Sequence, residues 1–223
     1  MNPELMTLVQ KISIWALPVL FAITLHEVAH GWAARALGDR TAEMLGRLSL
    51  NPLRHVDPMG TVVVPMVMLA LGGFLFGWAK PVPVGVRNLK HPRRDMALVA
   101  IAGPLANAAM ALAWGLLLKL SLAVGSEEGI WLGLRYMAMA GIMINLVLMV
   151  LNLLPLPPLD GGRVLNGLLP ERYARVMDRI EPYGLVIMVA LMATGVLSRV
   201  MDWPMALAQW GLFSLLGLNS TSL

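Results

Sequence analysis

The chain has 223 residues, of which 58% are apolar and only 13% charged, and its mean hydropathy is +0.72. A soluble domain carries about 25% charged and 45–50% apolar residues, so this composition excludes a soluble enzyme, a disordered chain and a nucleic-acid binder, and makes the lipid bilayer the expected solvent. The net charge of +4 is better explained by topology than by an acidic partner, and the lack of cysteine excludes a disulfide framework and thiolate metal ligands.

In chain order, a first apolar run, Ile12 to Leu25, passes without a break into His26-Glu27-Val28-Ala29-His30 and Gly31-Trp32-Ala33-Ala34. The run has the length of a signal-peptide core, but Glu4 precedes it and a charged pentapeptide separates it from Ala34-Arg35-Ala36. It is therefore expected to stay as a membrane helix. A polar stretch covers Arg35 to Asp57, followed by Thr61 to Trp78, which Pro65 and Gly72-Gly73 interrupt. Lys80 to Asp95 is basic and proline-bearing. Two long apolar runs follow, Met96 to Val124 and Ile130 to Leu156. A polar stretch, Glu171 to Glu181, reads as an interfacial helix and leads to Tyr183–Val200. The tail Trp203–Leu218 is marginal against the ~20 residues that a crossing helix needs. Trp32, Trp78, Trp131, Trp203 and Trp210 suit an interfacial belt.

Arg35, Arg40, Arg47 and Arg54 follow the first run, and Lys80, Arg87, Lys90, Arg93 and Arg94 follow the second. If every run crossed, these basic loops would face opposite sides, against the positive-inside rule. A re-entrant Thr61–Trp78 places both on the cytoplasmic side, and its proline and glycines suit such a turn. The residues after Leu156 then share that face.

His26 and His30 stand four apart on a predicted helix, with Cβ atoms about 5–6 Å apart on one face, so both imidazoles can reach one metal ion. Glu27 lies beside the open position. Histidine and glutamate are expensive inside an apolar segment and mark function there. A zinc hydrolase site needs a third protein ligand. His55 and His91 sit in basic, proline-flanked loops and read as surface residues, and most carboxylates read as solvated or capping groups. Asp160 differs, because Asn152-Leu153-Leu154-Pro155-Leu156-Pro157-Pro158-Leu159-Asp160-Gly161-Gly162 must open the helix. Open backbone at membrane depth lines a protein or water-filled cavity. Asp160 can line that cavity, or it caps the turn at the Gly-Gly corner. Asn107, within a long apolar run beside Gly103-Pro104, reads as a residue bonding a neighbouring helix.

The HExxH pentapeptide and the Asn152-x-x-Pro155-x-x-x-Leu159-Asp160-Gly161 segment resemble the site-2 proteases, zinc metalloproteases that cut within membranes. Three more segments carry the resemblance, in the family's order: Asn51-Pro52-Leu53 with Asp57-Pro58-Met59-Gly60, Gly77-Trp78-Ala79-Lys80-Pro81-Val82-Pro83, and Ala102-Gly103-Pro104-Leu105-Ala106-Asn107. The resemblance implies His26, His30 and Asp160 as ligands of one Zn2+ per chain, Glu27 as catalytic acid/base and Asn152 as a substrate-holding residue. Asn107 is a candidate supporting residue. Larger relatives carry PDZ or CBS modules, for which this chain has no length, so it resembles a minimal form.

The expectation is therefore an all-α polytopic membrane protein with four to six transmembrane helices and a re-entrant or β-hairpin element near the active site. It is a single membrane-embedded domain over residues 1–223, with its core at 10–165 and C-terminal helices at 166–223. The expected activity is zinc-dependent endoproteolysis of a transmembrane or membrane-anchored protein, in the cell membrane, with the site opening to the cytoplasmic side. The Lys80–Val86 segment could offer an edge to an extended substrate. The alternative is a non-proteolytic membrane protein that binds or carries a divalent metal, which has no need of Glu27 as acid/base.

Overall fold

The computed structural model describes residues 7–55, 57–63, 80–125 and 128–218, and every regular element among them is helical. Helix α1 (Leu8–Ala36) starts at a reciprocal cap: the Gln10 N–H donates to Thr7 Oγ1 at 3.3 Å and the Thr7 N–H donates to Gln10 Oε1 at 2.9 Å. It carries the apolar run and the HExxH motif as one continuous element. It stops at Gly38, whose φ of +112° leaves the helical region. A short helix, α2 (Thr41–Met44), follows. Helix α3 (Pro92–Val124) has proline in its first turn, where the missing N–H costs nothing, and Asp95 accepts the His91 N–H at 2.8 Å. Helix α4 (Gly129–Leu153) returns antiparallel to α3. After it come α5 (Asp160–Leu168), α6 (Glu171–Ile180), α7 (Gly184–Ala193) and α8 (Val196–Leu216).

Three helices, α1, α3 and α4, are long and apolar enough to cross a membrane. The α6–α7 and α8 segments make a fourth span if they are taken together, across a bend of 85° at a short break that includes Gly195. The described helices thus reach the lower end of the expected number. Most of the expected re-entrant or β-hairpin element Thr61–Trp78 lies outside the described residues, as does the Gly77-Trp78-Ala79 part of the family pattern.

Helix α3 is the centre of the bundle and packs against α1, α4 and α5. Its buried positions, Ala97, Ala100, Gly103, Pro104, Asn107, Ala111, Gly115 and Leu118, recur every three or four residues. Small side chains on that stripe let helix backbones approach, which drives association where lipid removes the hydrophobic effect between helices. Outward-facing Leu105, Leu116, Leu120 and Met143 stay exposed, as a lipid-facing surface requires.

The α4–α5 junction opens as the prolines dictate. Pro155, Pro157 and Pro158 cannot donate backbone hydrogen bonds, helix α4 stops at Leu153, and the chain re-enters a helix at Asp160. Tight packing of this corner needs its glycines, since a Cβ on Gly162 would lie 2.7 Å from Pro157 N.

Candidate metal centre

His26 and His30 share one face of α1 and are buried. The α4–α5 break delivers Asp160, also buried, to the same point from a position 130 residues later in the chain. The Asp160 Oδ2 lies 3.2 Å from His26 Nε2 and 3.3 Å from His30 Nε2, and the two Nε2 atoms are 3.1 Å apart. The three expected ligands therefore meet. No other group of three such side chains able to hold a metal ion occurs among the described residues.

The outer nitrogens fix what the inner ones can do. His30 Nδ1 faces the Val99 carbonyl at 2.8 Å, and a carbonyl only accepts, so Nδ1 carries the proton. His26 Nδ1 faces Asn107 Oδ1 at 2.6 Å and carries its proton for the same reason. In the neutral rings both Nε2 atoms are then lone pairs. They point at a carboxylate oxygen that finds no hydrogen-bond donor. Three acceptors at this separation repel one another unless a cation lies between them. A tetrahedral zinc ion with bonds of about 2.0–2.1 Å sets its ligand atoms about 3.3–3.4 Å apart, so spacing, donor set and tautomers all fit zinc. Space is provided as well: a Cβ on Gly103 would stand 2.5 Å from His30 Nε2 and 2.6 Å from His26 Cε1.

Glu27 is half-buried, and its Oε2 accepts the Val82 N–H at 2.8 Å. The segment 80–85, without helix or strand pairing, crosses this side of α1. Pro81 and Pro83 have no N–H to place. The Lys80 N–H goes to the His55 carbonyl at 2.9 Å, the Val82 N–H to Glu27, and the Gly85 N–H to Asp39 Oδ2 at 2.6 Å. Arg47 holds the start of the segment by donating to Lys80 O at 2.9 Å.

Asp39 anchors the far end. It is fully buried, and besides Gly85 it accepts from Asn88 Nδ2 at 2.8 Å, Thr41 Oγ1 at 2.5 Å and the Thr41 N–H at 3.1 Å. Burial pushes this carboxyl up, but the donors from Asn88, Thr41 and Gly85 outweigh it and hold Asp39 below the usual carboxylate range.

One reading of the sequence needs correction. His55 is buried rather than on the surface, because the loop folds back on itself and His55 Nε2 donates to Ser49 O at 2.8 Å. Asp39 is a buried hub that also accepts the Thr41 N–H at the start of α2. His91, by contrast, is exposed ahead of α3. Asn107 does bond neighbouring helices, as expected, and also touches the imidazole of His26. Asn152 lies on the last turn of α4, half-buried, with Nδ2 donating to Leu148 O at 2.9 Å. Asn145 of α4, fully buried, joins this group through Asn107, and an asparagine in the middle of an apolar membrane run is itself a signal.

Two imidazoles and a carboxylate, closed in by helices long and apolar enough to cross a membrane, form a candidate metal centre. Comparison with known proteins agrees. The sequence model described as "Peptidase family M50" matches residues 120–195, which include Asp160, while His26 and His30 lie outside the match. The chain is 42% identical over 189 residues to "Putative zinc metalloprotease YwhC" of Bacillus subtilis, covering 84% of this chain and 83% of that relative. It is 32% identical to "Putative zinc metalloprotease Rip2" of Mycolicibacterium smegmatis and of Mycobacterium tuberculosis, covering 90% of this chain and 73% of each. No solved structure matches at comparable significance. The chain belongs to peptidase family M50, the site-2 protease family, and is a zinc metalloendopeptidase.

Proposed function

We propose that this enzyme hydrolyses a peptide bond in or near a transmembrane segment of a membrane-protein substrate, with His26, His30 and Asp160 holding one zinc ion and Glu27 as acid/base. The observation that supports this most is the meeting of three lone-pair atoms among helices of membrane length. When bound, zinc polarises the scissile carbonyl and lowers the pKa of water toward about 7. Glu27 takes a proton from the attacking water and returns it to the leaving amine, a contribution of about 10²–10⁴ in rate. The Val82 N–H on Oε2 orients that carboxylate, so Oε1 is the atom that meets the water.

A substrate helix hides its peptide bonds in its own hydrogen bonds and must unwind before attack. Each backbone group left unpaired in lipid costs several kcal/mol. Asn152, whose Nδ2 is engaged with Leu148, has Oδ1 to accept a substrate N–H. The 80–86 segment passes beside Glu27 and would meet the extended chain mainly through the carbonyls that Arg47 does not hold, since most of its N–H groups are spent. Water reaches the site from the cytoplasmic side in this reading. His30 lies six residues before the end of α1, about 9 Å along its axis, and Arg35, Arg40, Arg47 and Arg54 follow at that end.

Co-expression with candidate single-span substrates tests the proposal. Glu27→Gln is expected to keep the zinc content of the wild type and to abolish the shortened product. A substrate cut equally well by the Glu27→Gln protein would overturn the role of Glu27.

A further inference from the structure

His30 and His26 are held in the same tautomer by different means. Val99 O, which faces His30, is a backbone carbonyl and can do nothing but accept. Asn107, which faces His26, is a primary amide that presents either an oxygen or an NH2 group, depending on which way it is turned. If the NH2 group faced His26 Nδ1, the ring proton would move to Nε2, into the space between the three ligand atoms. What turns the amide therefore decides whether His26 can bind a metal.

We propose that Asn145, on α4, is a positioning residue for the metal centre: it sets the Asn107 amide and, through it, the metal-binding tautomer of His26. The inference rests on the zinc-site reading above. Asn145 Nδ2 donates to the Gly141 carbonyl of its own helix at 2.8 Å, and a carbonyl cannot donate in return. Asn145 Oδ1 is therefore the atom turned toward α3, where Asn107 Nδ2 donates to it at 2.9 Å. The Ala22 carbonyl on α1 takes a second hydrogen from the same Nδ2 at 3.2 Å. Reversing Asn107 would set its oxygen against two acceptors, and reversing Asn145 would set its oxygen against Gly141 O. Two carbonyls that can only accept thus fix two amides, and the second amide fixes the ring. Asn107 and Asn145 are both fully buried, so no water competes for these groups. The line runs through α4, α3 and α1 in turn and ends on His26 alone.

Partners of metal-bound imidazoles change metal affinity by about 10–100-fold when removed. The test measures zinc affinity of the full-length protein in detergent, by competition with a chromophoric chelator, together with the visible spectrum of the cobalt(II)-loaded protein and the melting of the zinc-free protein. Asn145→Leu keeps the bulk and removes both polar atoms, and is expected to weaken zinc binding by about 10-fold, the low end of the range for a direct partner because the Ala22 carbonyl still holds Asn107, and to alter the cobalt spectrum. Asn145→Asp is the conservative rescue. Unlike Asp39, this carboxyl would face one carbonyl and one amide donor within the helix bundle, where desolvation favours the neutral form, so its O–H replaces the donor to Gly141 O and its carbonyl oxygen still accepts from Asn107. Its zinc affinity should match the wild type. Ser121→Ala removes another fully buried polar group of α3, whose hydroxyl donates to Leu118 O at 2.7 Å, and should leave zinc affinity unchanged. Where Asn145→Leu is not recovered folded, Asn145→Ala carries the same expectation.

Wild-type affinity in the leucine or alanine variant overturns the proposal. So does a loss in Asn145→Asp equal to that in Asn145→Leu, or an equal loss in Ser121→Ala, which would mark a general response to core damage. A wild-type protein that binds no zinc refutes the metal-centre reading itself, a result distinct from all of these.

Discussion

Gly103 is the residue on which space at the centre depends. A methyl group there would press on both imidazoles, at 2.5–2.6 Å from His30 Nε2 and His26 Cε1. Alanine is also a better helix former than glycine by about 1 kcal/mol, so Gly103→Ala should leave the zinc-free helix bundle folded. The expected outcome is a zinc content well below one ion per chain, with a lowered melting temperature of the zinc-free protein because the buried rings must shift to admit the methyl group. Full zinc occupancy in Gly103→Ala would show that the rings have room the geometry denies them. At this scale the three candidate ligands were legible to different degrees. The histidines are local, one helical turn apart, whereas the prolines mark Asp160 only as a residue of an opened helix and the family resemblance is what joins it to them. Asn145 and Asp39 were not, because their roles depend on which carbonyl or amide another element brings to them, and nothing local to either residue records that.

Among the elements, the 80–88 segment depends most on a single side chain. Asp39 takes four hydrogen bonds, and two of them, from Gly85 and Asn88, hold that segment. Removing the acceptor leaves buried donors unpaired, so Asp39→Ala should cost about 2–4 kcal/mol of local stability. It should show as faster amide exchange across 80–88 and as lost cleavage with zinc retained. Unchanged exchange there would contradict the anchoring role. The pH dependence has a defined sign. The Asp39 pKa is lowered in the folded state, so its stabilisation is present above the unfolded value of about 3.9 and is lost as pH falls through the folded value. Exchange across 80–88 should accelerate only on that acid side, and Asp39→Asn should remove the dependence. The long apolar helices were plain from the sequence, since α1, α3 and α4 each correspond to an apolar run. The path of 80–88 was not, because an irregular segment takes its course from the acceptors it meets: His55 O, Glu27 and Asp39.

For the whole molecule, the proposed orientation puts the basic end of α1 and the stretch after α5 in the cytoplasm, and the α3–α4 turn on the opposite side. The natural chain has no cysteine, so single introduced thiols report cleanly. Arg172→Cys should react with a membrane-impermeant maleimide only after cells are opened, and Glu128→Cys should react in intact cells. The reverse pattern would invert the orientation and place the site on the other face. The bundle has a division of labour that follows from its packing: α1 supplies two candidate ligands and the acid/base candidate, α3 supplies the space and the partners of both rings, and the broken α4–α5 corner supplies the third candidate ligand. This convergence of distant segments is what the account stands on. X-ray absorption at the zinc edge of the purified full-length protein tests it most directly. One zinc per chain is expected, with scattering from two imidazoles and from oxygen ligands at about 2.0–2.1 Å, and loss of that signature in Asp160→Ala. Zinc without imidazole scattering, or an unchanged spectrum in Asp160→Ala, would contradict it.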